Sequence, residues 1–183
     1  MNTTWPRRGA APSAWAQRML TPKTAVILDF ETCSFDGAVC EVAVIAADTG
    51  QILLDTLINP CAPISGEAQR VHGISDADTA GAPTFPQLLP HLERVCRGRV
   101  CITYNAAFDH GRVVFEADRW RLHTPLTDYE RWDCAMVERS TWLGLRWRYR
   151  RLGGTHRALG DVQATRALLL DMAGPAIAES AAA

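Results

Sequence analysis

The stretch that most limits what this chain can fold into is Ala25-Val26-Ile27-Leu28-Asp29-Phe30-Glu31-Thr32, a run of aliphatic residues ending at once in two carboxylates around one aromatic. Four consecutive apolar positions predict a strand covered on both faces, the state of a central strand in an α/β sheet. Side chains two apart on a strand share a face, so Asp29 and Glu31 project together while Phe30 enters the opposite layer. Two anions held side by side at the end of a buried strand repel each other, and a divalent cation or a shared proton relieves that repulsion. An isolated D-x-E also suits a strand end that is simply solvated, so partners elsewhere decide between the readings.

With 183 residues, 48% of them hydrophobic and 21% charged, the chain is long enough for one domain with a substantial core. The expected division is an extension over 1–22 with a short helix, a main domain over 23–174 and a tail over 175–183. A formal net charge of -1 and a pI near 6.5 provide no global positive field for long nucleic acid, so any basic surface is local. Cys33, Cys40, Cys61, Cys96, Cys101 and Cys134 form no CxxC pair and lie mostly in apolar segments, which fits a reducing cytoplasm. Arg7-Arg8 is followed by Pro12, Gln17 and Arg18 rather than by a sustained apolar run, and no apolar run approaches membrane-spanning length.

In chain order, Ser13 is placed to cap a short helix whose Trp15, Met19 and Leu20 dock on the domain before Pro22, an appendage to the fold. Val39–Ala47 and Gln51–Ile58 read as antiparallel strands joined by the turn Asp48-Thr49-Gly50. Ser75 and Asp78 have capping-box spacing and predict a helical turn. Thr84 and Gln87 repeat that spacing before Leu88, Leu89, Leu92 and Val95, with Pro90 expected to kink that helix or delay its start. Arg99–Tyr104 is a fourth strand, Asn105 a suitable N-cap, and Ala106–Glu116 a helix. Asp133 is positioned to cap a helix reaching about Leu145, and Gly153-Gly154 breaks the chain before the helical pattern from His156 to Met172. A strand meander followed by alternating helices and strands implies an α/β layered domain with a mixed sheet.

Asp109 falls in the first turn of its helix, where a lone acid is already favoured by the helix dipole. If the fourth strand lies parallel beside the first, Asp109 reaches the same carboxyl-end edge as Asp29 and Glu31, where α/β proteins place ligands. His156 and Asp161 lie five apart and cannot share a face of one straight helix. Asp161 is therefore expected on the helix facing the acids, with His156 in the preceding turn, swung back over the site on the slack of Gly153-Gly154. Taken alone, His156 would equally suit a solvated helix start.

Asp29-Phe30-Glu31-Thr32, Asn105-Ala106-Ala107-Phe108-Asp109 and His156-Arg157-Ala158-Leu159-Gly160-Asp161 resemble, in order and spacing, the three motifs of the DEDDh 3′–5′ exonucleases, the DnaQ-like group. That group includes the proofreading epsilon subunit, RNase T and oligoribonuclease, and Val71-His72-Gly73-Ile74 is similar to its HGI segment. The resemblance spans about residues 24 to 172. It implies an RNase H-like fold, a mixed five-stranded sheet flanked by helices. It also implies that Asp29, Glu31, Asp109 and Asp161 are metal-site acids and His156 the general base, on single-stranded 3′ ends of DNA or RNA. A DNA polymerase or repair protein is the implied partner class. Cys33, where the family often has a second Thr, leaves the subfamily open.

An all-carboxylate site suits hard Mg²⁺ or Mn²⁺ rather than zinc, and two ions are expected, with Asp109 acting largely through water. The substrate-facing residues expected around it are Thr32, His72, Asn105 and Phe108, with aromatic stacking on a terminal base as one role for Phe108 and core packing as the other. Arg146-Trp147-Arg148-Tyr149-Arg150-Arg151 is the densest basic and aromatic stretch. If extended, it places Arg146, Arg148 and Arg150 on one face for a substrate backbone, and Trp147 and Tyr149 on the other as anchors; a solvated loop is the alternative. The rivals to exonuclease action are a silent nucleic-acid-binding domain and an RNase H-like endonuclease or transferase.

Overall fold

The computed structural model describes residues 12–145 and 148–174. Arg146, Trp147, the Arg7-Arg8 pair and the alanine-rich tail lie outside them. The opening helix α1 (Pro12–Met19) leads into β1 (Ala25–Thr32), β2 (Val39–Ala46) and β3 (Ile52–Leu57). Helices α2 (Gly66–His72), α3 (Asp76–Thr79) and α4 (Phe85–Cys96) precede β4 (Val100–Thr103) and α5 (Ala106–Trp120). Two 3₁₀ turns, β5 (Trp132–Cys134), α6 (Ala135–Trp142) and α7 (Ala158–Ala173) complete the described chain.

The sheet order is β3-β2-β1-β4-β5. β1 pairs antiparallel with β2 and parallel with β4, and β5 continues the parallel half. The carboxyl ends of β1, β4 and β5 thus share one edge. Alternation along β1 divides the core as expected: Val26, Leu28 and Phe30 pack with Phe85, Leu92 and Val113, whereas Ala25 and Ile27 face Met19, Val162 and Leu169. Asp29 and Glu31 have the parity of Ile27, so they face the α1/α7 layer.

Several local expectations need correction. Ser13 lies inside α1 instead of capping it, and the supposed appendage contributes Trp15, Ala16, Met19 and Leu20 to the core. Trp15 Nε1 also donates to Asp133 Oδ2 at 2.9 Å. Asp133 belongs to β5, opposite Ile102, and the N-cap of α6 is Cys134. Pro90 does not delay α4, which starts at Phe85 behind the Thr84/Gln87 capping box; lacking an N–H, Pro90 forgoes one helical hydrogen bond. The Ser75/Asp78 box opens α3 as expected. No membrane-spanning helix occurs among the described residues.

Candidate active site

β1 carries Asp29 and Glu31 to the sheet edge, where its register with β2 shifts between Glu31 and Thr32. Across that edge, α7 presents Asp161 from its first turn. One ligand atom from each of Asp29, Glu31 and Asp161 falls within 4.8 Å of the other two. Asp109 stands behind this trio in the first turn of α5, 2% exposed, and its Oδ1 accepts the Phe30 amide at 3.2 Å. The parallel pairing of β1 with β4 therefore brings all four acids to one place, as the strand order requires.

The electrostatics follow from that crowding. Burial first, then Asp109, Glu31 and Asp161, push Asp29 well above the usual carboxylate range. Burial and the charges of Asp161, Glu41 and Asp109 raise Glu31 to about 8, against a downward pull from Arg157. Burial likewise raises Asp109 despite the Phe30 amide, and Asp161 despite the amides of Thr155 and His156. Each carboxylate is held where its charged form is disfavoured, which is the state a cation would relieve. The donors are all hard oxygens, the chemistry of a Mg²⁺ or Mn²⁺ site rather than a zinc site.

The turn before α7 is built around Asp161. Its Oδ1 accepts the His156 amide at 3.2 Å, and a Cβ on Gly154 would come within 2.0 Å of the same oxygen. Glycine at 154 is thus needed for close approach, beyond the slack expected of the pair. His156 adopts φ 55°, left-handed for a non-glycine residue, and its side chain is exposed at the rim, near enough to favour the charged form of Asp161.

The other expected residues separate. His72 is 5% exposed: its Nδ1 accepts the Ile74 amide at 3.0 Å, which leaves Nε2 protonated to donate to the Thr32 carbonyl at 3.2 Å. It supports the end of β1 from behind, while Thr32 is itself buried. Asn105 occupies the N-cap of α5, the helix that carries Asp109, without a capping hydrogen bond from its side chain, and is exposed. Phe108 is half-buried, 6.2 Å from the ring of Phe35, with the Arg112 guanidinium 5.5 Å from its centroid. Arg148 and Arg150 are exposed, but Tyr149 does not anchor their segment, being 50% exposed itself. The backbone does so: Ser140 Oγ donates to the Arg148 carbonyl at 2.9 Å, Tyr104 Oη to that of Arg150, and Arg139 to that of Arg151.

Sequence reasoning missed Phe35 and Glu41. Phe35 is 89% exposed in the loop after β1, and a single aromatic in such a loop gives no pattern. Glu41 did leave a signal, an acid inside the otherwise apolar Val39–Ala46, but its partner is 116 residues away.

Comparison with known proteins agrees with this architecture. The RNase T-type family model, described as Exonuclease, matches residues 26–169. Exodeoxyribonuclease 10 of Escherichia coli (strain K12) is 30% identical over 162 residues, 80% of this chain and 67% of that protein. A structure of exonuclease X in complex with 5′ overhanging duplex DNA superposes with a TM-score of 0.57 at 28% identity, covering 81% of this chain and 90% of that one. The nuclease domain of 3′hExo, a DEDDh family member bound to rAMP, shares the fold with a TM-score of 0.65 at 17% identity, covering 82% and 91%.

Proposed function

This chain belongs to the exonuclease family, and from that premise we propose that it is a DEDDh-type 3′–5′ exonuclease that trims single-stranded DNA from the 3′ end, with Asp29, Glu31, Asp109 and Asp161 holding two Mg²⁺ or Mn²⁺ ions. The DEDDh exonucleases depend on divalent metal. The observation that carries the assignment to these residues is the approach of Asp29, Glu31 and Asp161 ligand atoms to within 4.8 Å. When bound, such ions supply a water of lowered pKa and charge stabilisation for the leaving 3′ oxygen.

The chain's own residues divide the remaining work. Asp109, set behind the trio and held by the Phe30 amide, shapes the site and would add its charge to the hold on the ions, largely through water. His156, at the rim, accepts the proton of the attacking water as general base, a role worth about 10²–10⁴-fold in rate. The product is a nucleoside 5′-monophosphate. Asn105 and the Phe35/Phe108 pair border the place of the terminal nucleotide, where an aromatic face takes any base. Thr32 and His72, both buried, contribute by fixing the backbone there. Arg148 and Arg150 extend positive charge outward for upstream phosphates, and Arg146 belongs to the same sequence run.

DNA is favoured because the 30% identical relative is an exodeoxyribonuclease and the 28% identical structure holds DNA. RNA trimming is the second reading, and partnership with a polymerase or repair protein belongs with the first. Matched DNA and RNA 20-mers, linear and circular, test it with Mn²⁺ present. We expect linear DNA to shorten faster than RNA and circles to survive. Faster loss of RNA would reverse the substrate, and cutting of circles would replace the exonuclease reading with an endonuclease.

A further inference from the structure

Helix α7 carries Asp161, yet its own N-cap cannot secure it. That residue is Arg157, which has no acceptor to offer the orphan amides of the first turn. The acceptor comes from another strand. Glu41 Oε2, on β2, takes the Ala158 amide at 2.9 Å. The same carboxylate receives Arg157 Nη2 at 2.6 Å and Nε at 3.0 and 3.1 Å. Glu41 is 3% exposed and stands directly opposite Glu31 in the β1–β2 register.

The location of this ion pair is unusual for a purely stabilising one. An apolar residue at position 41 would continue a fully buried strand at no desolvation cost, and replacing buried ion pairs by apolar groups is often neutral or stabilising. Instead, a buried anion is placed next to the acid cluster, and its counter-charge sits between His156 and Asp161 in sequence. The arrangement ties the strand beside the Asp29/Glu31 pair to the first turn of α7. Upstream of that turn, Gly153 (φ 80°) and Gly154 leave the chain conformationally permissive.

We propose that Glu41 and Arg157 are positioning residues of the exonuclease reaction: a cross-strand cap and ion pair that registers α7 on β2, so that the Asp161 carboxylate meets Asp29 and Glu31 while His156 stays at the rim. This rests on the reading of Asp161 and His156 as site residues. The two groups act as one unit. Loss of Arg157 leaves the Glu41 charge buried and unpaired opposite Glu31; loss of the Glu41 charge frees Arg157 to leave the helix start.

The test uses Glu41→Gln, Arg157→Gln, their double variant and the milder Arg157→Lys in the full chain. Four quantities are measured: kcat and KM on a 5′-labelled single strand, Mn²⁺ binding by calorimetry, amide exchange across 154–161, and melting temperature. Each Gln single should lower kcat and weaken Mn²⁺ binding by about 10-fold or more, the usual effect of losing a group that orients a metal ligand, with KM within about 2-fold. Exchange should quicken at 154–161 and stay unchanged in α4. The double variant should be no worse than the worse single, since both losses come from one contact, and Arg157→Lys should fall between wild type and Arg157→Gln. Wild-type kcat and Mn²⁺ affinity in both singles, with only a lowered melting temperature, would overturn the proposal, as would additive losses in the double. Asp161→Asn serves as the reference: if it loses Mn²⁺ binding while the Glu41 and Arg157 variants keep it, this inference alone fails, and if it keeps binding, the proposed site fails.

Discussion

A carboxylate buried at the end of a strand loses its solvation penalty in two ways, by taking a proton or by meeting a cation, and Asp29 and Glu31 are placed so that both routes are open. Asp29→Asn and Asp161→Asn each remove a charge from the close trio and are expected to reduce 3′ trimming to background. His156→Ala leaves the trio untouched. It should lower kcat by about 10²–10⁴-fold while calorimetric Mn²⁺ affinity stays within a few-fold, and wild-type turnover from pH 6 to 9 would remove His156 from the reaction. The paired carboxylates were legible in the sequence because period-two alternation alone puts Asp29 and Glu31 on one face. The role of His72 was not legible. Its burial behind Thr32 depends on how α2 packs, and only the structure shows that its ring supports the β1 backbone.

At the scale of elements, the site depends on how three secondary-structure ends meet. The strand β1, the β2–β3 hairpin and the two capping boxes could be read from sequence because each is specified by neighbours within a few residues. β5 could not: three residues are too few for a periodic pattern, and Asp133 has the composition of a cap although it occupies a strand and accepts from Trp15. α2 gives no clear sequence signal for a similar reason, its exposed face being mostly charged and polar. The turn before α7 offers a specific test. Gly154→Ala places a methyl group 2.0 Å from Asp161 Oδ1, and the carboxylate is the softer side of that clash. We expect a folded protein, with melting temperature within a few degrees of wild type, whose trimming rate falls at least about 10-fold through displacement of the Asp161 carboxylate from Asp29 and Glu31. An unchanged rate would show that the turn is not closed around Asp161 during turnover.

For the whole molecule, the acid cluster makes stability depend on pH in a direction opposite to that of ordinary paired carboxylates. Unfolded Asp and Glu titrate near about 3.9 and 4.3. Folded Glu31 titrates at about 8, and Asp29, Asp109 and Asp161 are raised as well. Between those limits the folded state holds more protons than the unfolded state. The metal-free protein should therefore be most stable on the acid side of this window and lose stability as pH rises from about 5 to about 8. Divalent metal needs the ionised carboxylates, so its effect has the opposite sign. At 100 times its dissociation constant, Mn²⁺ should add about 2.7 kcal/mol, or roughly 5–10 °C in melting temperature. At one fixed Mn²⁺ concentration the gain should be larger at pH 8 than at pH 5, because the ionised carboxylates lower the dissociation constant there. Scanning calorimetry at both pH values, with EDTA or Mn²⁺ and with Asp29→Asn as control, checks both signs. A metal-free protein that becomes more stable toward pH 8 would contradict the crowding of charges described for this site.

The most direct test of the central claim, that these four acids form a metal-dependent 3′–5′ trimming site, is one digestion of a single-stranded DNA labelled at its 5′ end. Wild-type protein with Mn²⁺ should yield a descending ladder of labelled strands and nucleoside 5′-monophosphates, while EDTA or Asp29→Asn should leave the strand full length. Immediate release of the label as a mononucleotide, or a ladder that persists in EDTA or in Asp29→Asn, would contradict it.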